Sequence, residues 1–134
     1  TGMKFFSYKQ HFLANDFRRE ASLCVTPRWT ADTFGKARAQ LEGIPCELKI
    51  LPPGNQDRGK LAFVEKLGSD RTVCIGNGRN DALMLKTAAL GVAVVLAEGA
   101  ATATLNSADV VCVGIVPALE LLLNPLRLTA TLRS

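Results

Sequence analysis

The sequence is poor in the residues from which many sites are built. It holds a single histidine, His11, one tryptophan and one tyrosine. Its four cysteines, Cys24, Cys46, Cys74 and Cys112, include no C-x-x-C pair, and His11 is far from all of them in sequence. That spacing argues against zinc. The cysteines read instead as small apolar residues of a reduced interior, each in a separate expected strand. No apolar run reaches the ~18 residues of a membrane span. The first residues lack the charged-then-apolar pattern of a signal peptide, so a cytoplasmic protein without membrane contact is expected. Neither G-x-x-x-x-G-K-[ST] nor G-x-G-x-x-G occurs, which removes the commonest nucleotide loops. Internal repeats and low-complexity linkers are absent too.

What is present is enough for one domain. The chain has 134 residues, 48% of them hydrophobic, which suffices for a core. Its charge of +4 is unevenly placed. Residues 1–40 hold seven Lys/Arg against three Asp/Glu, whereas residues 41–134 hold nine of each. Seven of the eight aromatics also precede residue 35, leaving only Phe63 beyond it. The basic, aromatic excess therefore belongs to an atypical N-terminal segment, 1–29. It reads as a segment of different origin or one that packs on a partner. Nucleic acid is not expected, because no recognised binding motif accompanies the charge.

From residue 21 onward strands and helices alternate. Ala21 to Val25, Cys46 to Leu51, Arg71 to Ile75, Gly91 to Leu96 and Asp109 to Val113 read as strands. Asp32 to Glu42, Gln56 to Leu67, Asn80 to Ala89, Ala100 to Ala108 and Pro117 to Leu123 read as helices, with Leu61, Val64 and Leu67 inward on the second. Pro125 should break the last, and Leu126, Leu128 and Leu132 suggest an apolar tail that packs on the body or on a second subunit. The alternation with short connections, and a strand apolar throughout at Gly91 to Leu96, predict an α/β fold: a three-layer, Rossmann-like parallel sheet with no room for a cap domain.

The stretch that organises the rest is Gly76-Asn77-Gly78-Arg79-Asn80-Asp81. It joins the strand Thr72-Val73-Cys74-Ile75 to the helix after it. Three oxygen-bearing side chains fall there at a strand's C-terminal end, where ligands bind in open parallel sheets. Clustered oxygens suit a hard cation such as Mg²⁺. The plainer reading is a tight turn in which Asn80 or Asp81 caps the helix. Thr30 and Asp32 likewise suit a helix cap, and Lys60 by itself is one more lysine, with Arg58 as a neighbour of the same charge.

This stretch, with Ala82-Leu83-Met84-Leu85-Lys86 and Gly91-Val92-Ala93-Val94 after it, resembles the fourth motif of the haloacid dehalogenase (HAD) superfamily. The soluble, phosphatase-like branch related to the phosphorylation domain of P-type ATPases is the most similar. Thr30-Ala31-Asp32-Thr33-Phe34-Gly35 resembles the second motif, and Lys60, seventeen residues before Asn77, stands where the third-motif lysine is expected. The resemblance runs from about Thr30 to Arg133 and makes 30–134 a HAD-like core. It implies a Mg²⁺-dependent phosphatase acting on a phosphorylated small molecule. Thr30, Ala31, Lys60 and Asn80 would hold the phosphate, Thr30 and Lys60 would serve catalysis, and Asn77 and Asp81 would ligate the metal.

The family's mechanism starts from an aspartate on the first strand, in Asp-x-Asp-Gly-Thr or a close variant. That carboxylate attacks phosphorus. Only Asp16 and Glu20 precede Thr30. Asp16-Phe17-Arg18-Arg19 has arginine in place of the second acid and leaves no room for a helix before Ala21. If Lys4 to Lys9 forms the first strand, Ser7 or Tyr8 takes the nucleophile's approximate place, and neither can form the usual acyl-phosphate. Asn77 stands where many relatives carry aspartate. The expectation is therefore a surviving fold and metal site with weak or absent turnover. A second reading is an inactive relative that forms a homodimer through its N-terminal segment, at a sheet position left open by a missing first strand. An unrelated binding module cradling a nucleotide phosphate ranks last.

Overall fold

A computed structural model describes residues 4–7, 22–25, 47–48 and 54–133. The strands are β1 (Lys4–Ser7), β2 (Ser22–Val25), β3 (Glu47–Leu48), β4 (Thr72–Gly76), β5 (Leu90–Val94) and β6 (Val110–Cys112). The helices are α1 (Gln56–Leu67), α2 (Ala82–Thr87), α3 (Thr102–Ser107), α4 (Ile115–Leu123) and α5 (Pro125–Leu132). Among the described residues the sheet has six strands in the order β3-β2-β1-β4-β5-β6, and every pair is parallel. The expected helix at Asp32 to Glu42 lies outside the described residues.

The strand order places β1 beside β4. From β1 the chain steps outward to β2 and β3; from β4 it steps the other way, to β5 and β6. The crevice between the C-terminal ends of β1 and β4 is thus the point where the winding reverses, the usual ligand position of an open parallel sheet. Register fixes the neighbours there: Ser7 pairs with Ile75, one residue before Gly76.

This arrangement corrects one expectation. The sheet has no open place for a first strand, because Lys4–Ser7 fills it, paired on both sides to β2 and β4. Two strands from the segment 1–29 thus share one sheet with the core. A backbone paired on both sides has no edge to offer another chain.

The period of two along β4 sorts its side chains onto two cores. Val73 and Ile75 join Leu90, Val92, Val94 and Val110 under α4, where Ala118 and Leu119 meet them. Cys74 and Ala93 face the other way, against Phe63 and Val64 of α1 and Met84 and Leu85 of α2. Helices thus cover both sheet faces, which is why β4 and β5 are buried along their whole length and, Thr72 apart, carry no polar side chain.

Several boundaries differ from the sequence reading. On α1 the buried residues are Lys60, Phe63 and Val64, not Leu61. Helix α2 stops at Thr87 because Ala88 is extended (ψ 156°) and the Ala89 N–H turns back to the carbonyls of Ser69 and Thr72. Helix α4 starts at Ile115, so Pro117 lies inside its first turn, where no helical N–H is missed. Pro125 does break the chain: it opens α5, which meets α4 at 102°. No single helix among the described residues is long and apolar enough to cross a membrane.

Candidate functional site

The site begins with a turn that has to be tight. β4 ends at Gly76 and is followed by Asn77, Gly78 and a single 3-10 turn, Arg79–Asp81, before α2. That compact path brings the Asp81 carboxylate back over the end of the strand. Its Oδ2 accepts the backbone N–H groups of Asn77 at 3.0 Å and Gly78 at 2.9 Å. There is no room for a side chain beneath it: a Cβ on Gly76 would lie 2.5 Å from Asp81 Cγ. Asp81 stands at the N-cap of α2 but gives that helix no side-chain cap bond; its carboxylate instead turns back to the N–H groups of Asn77 and Gly78, ahead of the 3-10 turn.

The other carboxylate oxygen faces a cation. Lys60 Nζ lies 2.5 Å from Asp81 Oδ1, and the two side chains are 1% and 0% exposed. Lys60 also donates to Asn80 Oδ1 at 3.1 Å, and Asn80 in turn donates through Nδ2 to Gln56 Oε1 at 3.1 Å. The lysine arrives by helical geometry: Lys60, Phe63, Val64 and Leu67 form one stripe of α1, at i, i+3, i+4 and i+7. Phe63 and Val64 anchor that stripe in the core. The ammonium is carried to the sheet's C-terminal edge by the same face that buries the helix. Arg58, its neighbour of like charge, is exposed.

Asn77 is held from three sides. Its N–H goes to Asp81, its carbonyl accepts from Ala101 N at 2.8 Å, and its Nδ2 donates to Gly99 O at 3.1 Å. The last bond fixes the amide's orientation, because a flipped amide would set oxygen against oxygen. What remains is Oδ1, which is buried and has no hydrogen-bond partner. A buried acceptor in that condition costs free energy unless something else meets it.

The rear of the turn is secured by Thr104, fully buried on α3, whose hydroxyl donates to Gly78 O at 2.5 Å. Thr104→Val keeps the shape and removes this bond, leaving the Gly78 carbonyl with the Asp81 N–H at 2.9 Å as its remaining partner. An expected loss of about 0.5–1.5 kcal/mol follows, to be read from urea unfolding. A loss near zero would mean that solvent reaches the Gly78 carbonyl.

The structure therefore brings Lys60, Asn77, Asn80 and Asp81 together. Thr30 and Ala31 lie outside the described residues, as do Asp16 and Tyr8. Gln56 and Thr104 were missed by sequence reasoning. Neither carried a signal, for one is a polar residue opening a helix and the other a threonine in a stretch of small residues.

No family model matches the chain. The uncharacterised protein MJ0073 of Methanocaldococcus jannaschii is 44% identical over 84 residues, which span 60% of this chain and 90% of that protein. The chain belongs to the MJ0073 family. Similar solved structures show this chain's fold. A 3-deoxy-D-manno-octulosonate 8-phosphate phosphatase from Moraxella catarrhalis, in complex with magnesium, phosphate and KDO, matches with TM-score 0.55 and 18% identity over 82% of this chain. The catalytic domain of the CPx-ATPase CopB-B matches with TM-score 0.59 and 20% identity over 81%. A protein from Legionella pneumophila assigned to HAD superfamily subfamily III A gives 0.60 and 17% over 84%. This chain spans 64%, 40% and 63% of those three. At such identities they show the fold alone: a HAD-like, Rossmann-like α/β sheet.

Proposed function

We propose that this chain is a HAD-type phosphatase domain that binds a phosphorylated small molecule and Mg²⁺ at the β1–β4 crevice, with weak or no turnover. The observation that carries this reading is the buried Lys60–Asp81 pair at the C-terminal end of β4. A surface lysine needs no such burial, and taking two charges out of water costs several kcal/mol per ion before their attraction is counted. A solvent-shielded ammonium beside a strand-end loop is suited to a phosphoryl oxygen. Asn80, bonded to both Lys60 and Gln56, holds the lysine's position. Thr30 and Ala31 are assigned to the phosphate only through their likeness to the second HAD motif.

Two oxygens suit the metal. Asn77 Oδ1 is buried without a hydrogen-bond partner. Asp81 has about four lone-pair sites, of which Asn77 N, Gly78 N and Lys60 take three. Among the described residues there is no group of three His, Cys, Asp or Glu that could hold a metal. Mg²⁺ commonly makes do with one or two carboxylates, water and substrate phosphate. When bound, it supplies charge neutralisation for the phosphoryl group.

Weak turnover is proposed because β1 ends at Ser7, in register with Ile75, and the sequence offers only Asp16 and Glu20 as acids before Thr30. A cytoplasmic location belongs to the same proposal. The homodimer once expected from an open strand position has lost that support, and light scattering on the intact chain tests it.

The functional test is phosphate release from p-nitrophenyl phosphate with and without Mg²⁺, for the parent, Asp81→Asn and Asp16→Asn, each shown folded by circular dichroism. The expected result is little or no Mg²⁺-dependent release in any form, with inorganic phosphate still bound by the parent. Rapid turnover lost in Asp16→Asn would make Asp16 the nucleophile and overturn the weak-turnover reading. Absence of phosphate binding would overturn the site itself.

A further inference from the structure

The charges of this site sum differently from those of a site that holds a divalent ion by itself. Among the described residues, Lys60 contributes one positive charge and Asp81 one negative, in contact at 2.5 Å. Asn77 and Asn80 contribute oxygens without charge, and so does Gln56 beyond them. The one lone pair left to Asp81 is on Oδ1, the oxygen already facing the ammonium. Among the described residues, a divalent cation arriving alone would meet one shared carboxylate, one neutral amide oxygen and the field of a buried lysine. Affinity for hard cations rises with the number of charged ligands and falls without them. A phosphate dianion arriving alone has the lysine to meet but also Asp81. Arriving together, the cation offsets the dianion against Asp81, and the dianion offsets the cation against Lys60. Burial strengthens each of these terms, because little water screens them.

Resting on the reading of this site as one for Mg²⁺ and phosphate, we infer that cation and phosphate bind as a coupled pair, and that the neutral side chain at Asn77 sets the coupling. A carboxylate at that position would add one negative charge to the site and let the cation bind first and alone. With Asn77 the cation waits for its anion. The protein then discriminates for the metal complex of a phosphate over either component.

The test uses Mn²⁺ as the probe, counted as free ion by electron paramagnetic resonance, with and without inorganic phosphate. Protein-free titrations correct for Mn²⁺–phosphate complexes in solution. In the intact chain phosphate should tighten Mn²⁺ binding by about tenfold or more, within the usual range of site–site coupling. Mn²⁺ should tighten phosphate binding by the same factor, as linkage requires; calorimetry reads this half. Asn77→Asp should bind Mn²⁺ without phosphate about tenfold more tightly than the parent, and its coupling should shrink. Equal Mn²⁺ affinity in the parent with and without phosphate overturns the inference and leaves the metal site standing. No Mn²⁺ binding by either protein, even with phosphate, overturns the metal site as well. If Asn77→Asp does not fold, the reciprocal measurements on the parent decide the matter.

Discussion

Asp81→Asn is expected to destabilise the domain by about 3–5 kcal/mol, the usual cost of breaking a buried pair from one side. Guanidinium unfolding at neutral pH reads it as a lower midpoint with an unchanged slope. The substitution conserves size, so packing hardly changes. What changes is hydrogen bonding. Asp81 receives three donors: Lys60 Nζ, Asn77 N and Gly78 N. An amide has one oxygen, and its NH₂ must then face either the ammonium or the two backbone N–H groups. Whichever way it turns, donors face donors, and Lys60, 1% exposed, loses the charge of Asp81 beside it. Lys60→Met should cost less, because Asp81 keeps its two backbone donors. The double variant should recover part of the sum, since the residues act as one unit; contacting pairs usually show couplings of about 0.5–3 kcal/mol. A loss below about 1 kcal/mol for Asp81→Asn would mean that water reaches the pair, and the case for a desolvated phosphate site would go with it.

That pair also marks where the sequence was readable. The alternation of elements from residue 21, the apolar strands and the Gly76–Asp81 loop follow from local pattern, and among the described residues the structure has the alternation from Gln56 onward and the loop. The loop was legible because two glycines and three oxygen-bearing side chains between a strand and a helix leave few alternatives. Lys60 was harder. Leu61, Val64 and Leu67 looked like the inward face of α1 because all three are apolar. The observed stripe is Lys60, Phe63, Val64 and Leu67, a better helical period with a charge in its first place. A lysine occupying an apolar position of an otherwise regular stripe is itself a signal. It reads as such only when charge is not assumed to lie outside.

The N-terminal strand, offered only as the condition that Lys4 to Lys9 forms one, was hard to read for a different reason. Lys4–Ser7 is four residues long, flanked by aromatics and lysines, and has no second strand-like period to support it. Its place is set by non-local pairing with Ser22–Val25 and Thr72–Gly76. Pairing between strands nearly seventy residues apart leaves no local mark. Chemistry at the end of β1 is equally illegible from charge pattern: the resemblance begins only at Thr30, so nothing in it assigns a role to Ser7 or Tyr8.

Gly91→Ala should cost about 3 kcal/mol, at the upper end of what overpacking usually costs. Gly91 lies in β5 beside Cys74 of β4, where α2 crosses the sheet. A Cβ there would collide with Leu85 O and lie 2.9 Å from Leu85 C, both backbone atoms. No rotamer change relieves a backbone contact, so the strand or the helix has to move. The strand is pinned: Gly91 N donates to Asp109 Oδ2 at 2.8 Å, and Gly91 O accepts from Asp109 N at 2.8 Å. The helix is the element that yields, and α2 begins at the residue after Asp81. A shift at Leu85 is therefore carried to the Lys60–Asp81 contact one turn away. Two readouts follow from one methyl group. The unfolding midpoint should fall, and amide protection of Asn77 and Gly78, whose N–H groups rest on Asp81, should fall with it. Loss of stability with full protection at these two amides would place the strain in β5 and show that α2 and the loop are held independently of the strand beneath them.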